Sequence, residues 1–133
     1  MTRYLLDTNI VSHLIRNPRG AVLSHIARVG EMNVCTSIVV AAELRYGCAK
    51  NGSKRLLEAV EKVLGELNVL PLEAPADLEY GRLRAQLEHE GRPIGGNDLL
   101  IAAQALTIGA TVVTGNVAEF LRMEKLKVEN WLL

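Results

Sequence analysis

Short apolar runs alternate with longer amphipathic stretches along the whole chain. Tyr4-Leu5-Leu6 and Ala110-Thr111-Val112-Val113-Thr114 are typical of buried strands, whereas 53–66 repeats apolar residues at helical spacing. The pattern predicts strands at 3–6, 33–36, 69–72, 110–114 and 127–131. It predicts helices at 8–16, 20–29, from an N-cap at Ser37 to Tyr46 or slightly beyond, 53–66, 75–90, 97–108 and 117–121.

The alternation of strands with helices predicts an α/β fold. Its central sheet is mostly parallel, has about five strands and is covered by helices on both faces. With 133 residues and no linker, the chain is expected to form a single domain over 1–133. Ligands bind at the carboxyl ends of the strands in such sheets. Asp7 follows the first predicted strand and Asn116 and Glu119 follow the strand at 110–114, so all three are expected at that edge.

Composition narrows the function classes only slightly. Fifteen basic and fifteen acidic residues cancel, which argues weakly against a nucleic-acid partner without excluding one. No apolar run reaches the roughly 20 residues needed to cross a bilayer, and the start lacks the shape of a signal peptide. Cys35 and Cys48 share no metal-type spacing and are expected to be reduced core thiols. A cytoplasmic protein without a membrane partner is the expectation.

Three acidic residues interrupt apolar segments. Asp7 closes Tyr4-Leu5-Leu6, Asp98 opens the run at 99–103, and Glu43 lies within 38–44. A lone buried carboxylate is costly, so acids in such places need a partner. Several carboxylates brought together favour Mg²⁺ or Mn²⁺, and the scattered histidines and missing glycine-rich phosphate loop disfavour zinc or nucleotide binding. The pattern indicates metal-dependent phosphate chemistry.

Structural roles compete with this interpretation for two of the acids. Asp7 could cap the helix at 8–16, a role compatible with metal binding because one oxygen can cap while the other coordinates. Asp98 would lie in the first turn of the next apolar helix, capped by Asn97, where the helix dipole favours a negative charge.

The remaining acids have structural alternatives of another kind. Glu43 lies inside a helix, where capping cannot explain it, but a salt bridge to Arg45 or Arg3 could. Asn116 and Glu119 have the spacing of a capping box, in which Glu119 reaches back to the backbone. Metal or water ligation is the competing role for this pair.

Five ordered segments carry a resemblance to a known family. They are Leu5-Leu6-Asp7-Thr8-Asn9-Ile10, Ser37-Ile38-Val39-Val40-Ala41-Ala42-Glu43-Leu44-Arg45-Tyr46-Gly47, Pro93-Ile94-Gly95-Gly96-Asn97-Asp98-Leu99-Leu100-Ile101-Ala102-Ala103, Thr114-Gly115-Asn116-Val117-Ala118-Glu119-Phe120 and Val128-Glu129-Asn130-Trp131. Together they resemble PIN-domain ribonucleases, and more narrowly the VapC toxins of bacterial toxin–antitoxin pairs. The resemblance implies a PIN-like three-layer sandwich.

The resemblance also implies site residues and partners. Asp7, Glu43 and Asp98 match the family's three acidic metal-site residues, and Asn116 and Glu119 share the fourth position. A VapC-type protein would be a Mg²⁺- or Mn²⁺-dependent endoribonuclease acting on RNA, often transfer RNA. It would be a homodimer, would be silenced by a cognate VapB-type antitoxin in its groove, and would meet DNA only through that antitoxin.

Two further interpretations remain open from the sequence. Four arginines are candidates for contacting RNA phosphates, although for any single one a solvated surface charge is the favoured role: Arg3, Arg45, Arg92 and Arg122. The alternative to an enzyme is a non-catalytic PIN-like protein that binds RNA or a partner and uses its acids only to cap helices.

Overall fold

The computed structural model describes residues 2–133, which form a five-stranded central sheet. The strands are β1 (Arg3–Leu6), β2 (Val34–Ser37), β3 (Asn68–Leu70), β4 (Ala110–Val113) and β5 (Val128–Glu129). They lie in the order β3-β2-β1-β4-β5, and all four pairings are parallel. The predicted α/β class with a mostly parallel sheet is confirmed.

Helices cover both faces of this sheet. Within residues 2–133 they are α1 (Thr8–Arg16), α2 (Ala21–Val29), α3 (Ile38–Asn51), α4 (Lys54–Glu66), α5 (Ala76–His89), α6 (Gly96–Ile108) and α7 (Val117–Phe120), with a 3₁₀ turn at Glu31–Asn33. Successive strand residues point to opposite faces, and Leu5 and Leu6 of β1 are both fully buried, as are Val112 and Val113 of β4. None of the described helices is long and apolar enough to cross a membrane.

Every helix boundary except the end of α3 lies within one residue of its prediction, and the boundaries follow local chemistry. Ser37 caps α3 as expected, since its Oγ accepts a hydrogen bond from the Val39 N–H at 3.0 Å. The helix then continues past Tyr46 to Asn51, and Gly52 ends it in a left-handed conformation with φ +73°. Asn97 is not the cap of α6, because the helix begins one residue earlier and Gly95 occupies the N-cap position.

The two edge strands are shorter than predicted. β3 ends at Leu70 rather than residue 72 because Pro71 has no N–H to continue the ladder. β5 ends at Glu129 because the Asn130 side chain accepts a hydrogen bond from the Leu132 N–H and turns the chain. Both cysteines are buried and free, as predicted.

The order of the strands places a crevice beside β1. From β1 the chain runs to β2 and β3 on one side, and it later returns to β4 and β5 on the other side. Such a reversal opens a crevice outside the carboxyl ends of the two diverging strands. Asp7 lies there, and its N–H donates to the Val113 carbonyl of β4 at 2.9 Å.

Candidate active site and metal centre

Four of the five predicted site residues lie together at this edge of the sheet. Asp7 directly follows β1, Glu43 lies in α3, Asp98 lies in the first turn of α6, and Glu119 lies in α7. The charges of the other three carboxylates each raise the pKa of Asp98, which shows how close the four groups are. Three helices and a strand end thus converge on one acidic cluster.

Asp7 is the most enclosed member of the cluster. It is only 2% exposed, and both of its carboxylate oxygens accept hydrogen bonds: Oδ1 from the Thr8 N–H and Oδ2 from the Thr114 hydroxyl, each at 2.8 Å. Burial raises its pKa above the ordinary 3.8, the charges of Glu43 and Glu119 add to the rise, and the two hydrogen bonds oppose it. The carboxylate therefore caps α1 and is also close enough to Glu43 and Glu119 for their charges to act on it.

A small polar network holds the loop after β4 against Asp7. The Thr114 hydroxyl donates to Asp7 and accepts from the Asn116 N–H at 2.9 Å. Asn9 accepts from the Gly115 N–H at 2.9 Å, and its amide lies 3.5 Å from Asp7 Oδ2. A Cβ at Gly115 would lie 2.9 Å from the end of the flexible Leu132 side chain, which would have to shift to accommodate it.

Glu43 does not form the salt bridges considered as its structural alternative. Arg45 pairs with Glu61 of α4 instead, and Arg3 begins β1, at the opposite end of the strand from Asp7. Glu43 Oε1 accepts a hydrogen bond of 2.6 Å from the Thr8 hydroxyl. Among the described residues, none forms an ion pair with Glu43.

Asp98 carries the clearest electrostatic signature of the site. Its pKa is raised from 3.8 to about 7, first by burial and then by the Asp7 charge, with Glu119 and Glu43 adding to the effect. A position in the first turn of α6 would by itself favour the ionised form. Burial and the crowding of carboxylates together therefore outweigh the helix dipole at this position.

Glu119 takes part in this cluster rather than in a capping box. Its carboxyl group lies within hydrogen-bonding reach of the Asp98 carboxyl group and helps to raise the pKa of Asp98. Asn116 is the N-cap residue of α7, but its side chain makes no capping hydrogen bond and is exposed. The capping-box alternative is therefore wrong, and Glu119 is the member of this pair that reaches the acids.

Known proteins match this sequence and fold over almost their full length. The PIN domain family model matches residues 4–126. The chain is 37% identical over 130 residues to Ribonuclease VapC2 of Rickettsia felis, covering 96% of this chain and 97% of the relative. It is 35% identical over 132 residues to the tRNA(fMet)-specific endonuclease VapC of Shigella flexneri, covering 98% and 99%. This chain belongs to the PIN-domain family.

The structure agrees with that assignment. It superposes with a TM-score of 0.89 on the crystal structure of VapBC2 from Rickettsia felis bound to a DNA fragment from their promoter. That pair is 36% identical, and the match covers 98% of this chain and 99% of the other. The predicted resemblance to VapC-type PIN domains is thereby confirmed.

The acids of this PIN domain fit a divalent cation. All four contribute oxygen atoms, the donor type that Mg²⁺ and Mn²⁺ prefer, and their mutual repulsion is the condition that such a cation relieves. Among residues 2–133, no three acidic, histidine or cysteine side chains are already closed around one point as a ligand set. The fit therefore rests on donor chemistry and charge.

Three residues of the site had no role in the sequence analysis. Thr8 and Asn9 follow β1, and Thr114 follows β4. Their side chains orient the acids, and position directly after a parallel strand is the signal that could have identified them. Polar residues there are common, however, and only the register of β1 against β4 shows which ones meet.

Removing the Asp98 charge is expected to change how the metal-free protein responds to pH. An acid whose pKa is raised on folding stabilises the fold while it is protonated, so this contribution is lost as pH rises from about 4 to about 7. In EDTA, Asp98→Asn should therefore melt a few degrees above the parent protein at pH 8, with a smaller difference at pH 5.

Asp77→Asn is the matched control for this melting series, because Asp77 is an exposed aspartate in the first turn of α5. Thermal melts of the three proteins from pH 5 to pH 8 measure the effect. If the melting temperatures of Asp98→Asn and the parent protein differ by the same amount at every pH, Asp98 does not have the raised pKa that we assign to burial and neighbouring carboxylates.

Proposed function

We propose that this chain is a divalent-cation-dependent endoribonuclease and the toxin of a type II toxin–antitoxin pair. The observation that most strongly supports this proposal is a cluster of four acids at the crevice beside β1: Asp7, Glu43, Asp98 and Glu119. In a metal-free protein these carboxylates repel one another and raise the free energy of the folded state. A bound divalent cation would offset this repulsion, so the cluster is suited to binding one. The relatives named ribonucleases support the same activity.

Asp7, Glu43 and Asp98 are the proposed ligands, with Glu119 in the fourth position. Glu119 is preferred to Asn116 because its carboxyl group lies close enough to Asp98 to raise the pKa of that acid, whereas Asn116 is exposed. Mg²⁺ or Mn²⁺ bound there would activate a water and stabilise the leaving oxygen of a phosphodiester. Asp7 is held in place by Thr8 and Thr114, so it is suited to a fixed ligand role.

The positions of the arginines limit which of them can contact the RNA backbone. Arg3 lies at the far end of β1 and Arg45 is paired with Glu61, so neither suits the scissile phosphate. Arg122 donates to the Pro93 carbonyl at 3.1 Å, in the loop that leads to α6. The Arg122 guanidinium has five N–H groups, so it can still donate to a phosphate while it contacts Pro93. Arg122 and the exposed Arg92 therefore remain the candidates for phosphate contact.

Transfer RNA is the proposed substrate class, in the cytoplasm. The relative from Shigella flexneri is named as a tRNA(fMet)-specific endonuclease and is matched over 98% of this chain.

An apolar groove is the proposed seat of the antitoxin. It has a volume of about 760 Å³ and is lined by Leu14, Ile15, Leu23, Ile26, Met32 and Val63, with Glu31, Lys62 and Glu66 also among its lining residues. Leu23 and Met32 are large apolar side chains left exposed there. An amphipathic segment of a VapB-type partner fits such a groove, and DNA would be reached only through that partner.

A homodimer is proposed through α3. Ile38, Ala42 and Tyr46 are spaced four residues apart on this helix and are all exposed, so they form an apolar stripe. A second copy packing the same stripe would cover it in an isologous interface.

Cleavage of transfer RNA tests the proposed activity. The purified full-length chain is expected to cut total transfer RNA into discrete fragments in Mg²⁺ or Mn²⁺, and EDTA should abolish the fragments. Asp98→Asn should lower the rate more than about 100-fold, because losing a ligand costs more than the roughly 10–100-fold of an outer hydrogen-bond partner. Asp77→Asn serves as the control and should cut at the parent rate.

Cleavage at the parent rate by Asp98→Asn would contradict the proposed site. If the parent protein binds RNA and Mn²⁺ but cuts nothing, the non-catalytic alternative is favoured instead.

The two proposed interfaces can be separated with one pair of variants. Leu23→Lys places a charge in the groove and should abolish binding of a VapB-type antitoxin, while leaving the dimer intact. Tyr46→Lys should do the reverse. Light scattering gives the mass of each variant, alone and mixed with the antitoxin, and so measures both effects. If both variants have the same masses as the parent protein, the groove is not the antitoxin site and α3 is not the dimer interface.

A further inference from the structure

Thr8 lies between two of the acids and contacts both. It is the first residue of α1, directly after Asp7, and its N–H donates to Asp7 Oδ1 at 2.8 Å. Its hydroxyl donates to Glu43 Oε1 at 2.6 Å, across 35 residues of sequence. One residue therefore ties the end of β1 to the middle of α3.

The two acids depend on Thr8 to different degrees. Asp7 also accepts from the Thr114 hydroxyl and is almost fully buried, so several contacts fix its carboxylate. Glu43 is half-buried and has three side-chain torsions. Among the described residues, its carboxylate has only the Thr8 hydroxyl as a hydrogen-bond partner and no ion pair.

The position of Thr8 in the helix frees its hydroxyl for this contact. A threonine inside a helix commonly bonds the carbonyl three or four residues earlier. At the first helical position that preceding turn does not exist, because residues 3–6 form β1. The branched side chain keeps few rotamers, so the hydroxyl is pre-oriented toward α3.

We propose that Thr8 is a positioning residue that holds the Glu43 carboxylate in place for the divalent cation. The inference rests on the proposed function, since it assigns Glu43 to the cation. Ligand carboxylates are oriented by hydrogen bonds from neighbouring groups, and loss of one such partner lowers metal affinity about 10–100-fold. Without the hydroxyl, Glu43 would sample rotamers that point away from the cluster.

Thr8→Val is the direct test, because it keeps the shape of the side chain and removes the donor. Titration of Mn²⁺ into the full-length protein should give a Kd raised about 10-fold or more. Thr8→Ser should restore most of the affinity, since it keeps the hydroxyl. Thr107→Val is the matched control: Thr107 donates to a carbonyl of its own helix and should bind Mn²⁺ like the parent.

A double-mutant cycle shows whether Thr8 acts through Glu43. In a Glu43→Gln background, adding Thr8→Val should change the Mn²⁺ affinity little further, because the group that Thr8 orients has already lost its charge. Additive losses from the two substitutions would overturn the inference. So would a Thr8→Val protein that melts at a lower temperature yet binds Mn²⁺ like the parent, which is the behaviour of a purely structural residue.

The same titration keeps this inference distinct from the proposed activity. A parent protein that binds Mn²⁺ but cuts no RNA would remove the proposed function and leave the Thr8 comparison decisive. A parent protein that binds no Mn²⁺ would overturn both.

Discussion

Repulsion among four carboxylates in a partly desolvated crevice is the constraint on which the rest of the site depends. Burial already favours the neutral form of Asp7 and Asp98, and the neighbouring charges raise the pKa of Asp98 to about 7. In the metal-free protein, protonation of Asp98 relieves part of this repulsion. A divalent cation would relieve more of it, which links the electrostatics of the fold to the proposed chemistry.

The fold supplies this arrangement from four separate places in the chain. β1 is the central strand, and the crevice at its carboxyl end is bounded by the loop after β4 and by α3 and α6. Two threonine hydroxyls then orient individual carboxylates: Thr114 donates a hydrogen bond to Asp7, and Thr8 donates one to Glu43. The acids are thus crowded by topology and oriented by their polar neighbours, so the proposed cation binding and the stability of the fold depend on the same residues.

The sequence predicted the architecture and the acids better than their partners. The apolar pattern predicted β1, β4 and α4 well, because a buried strand or helix face requires apolar residues at the spacing of that element. The edges of the sheet were less predictable, since Pro71 and the turn at Asn130 decide them locally. The hydrogen-bond partner of Glu43 could not be predicted from the sequence. The contact between Thr8 and Glu43 depends on how α1 packs against α3 and not on any spacing along the chain.

Proton release on cation binding tests the central claim most directly. Mg²⁺ can be titrated calorimetrically into the metal-free protein in buffers of different ionisation enthalpy, which yields the number of protons displaced. Since the pKa of Asp98 is about 7, binding at pH 7 should release about half a proton, and binding near pH 9 almost none. Binding at pH 7 without proton release, or no binding at either pH, would contradict the account.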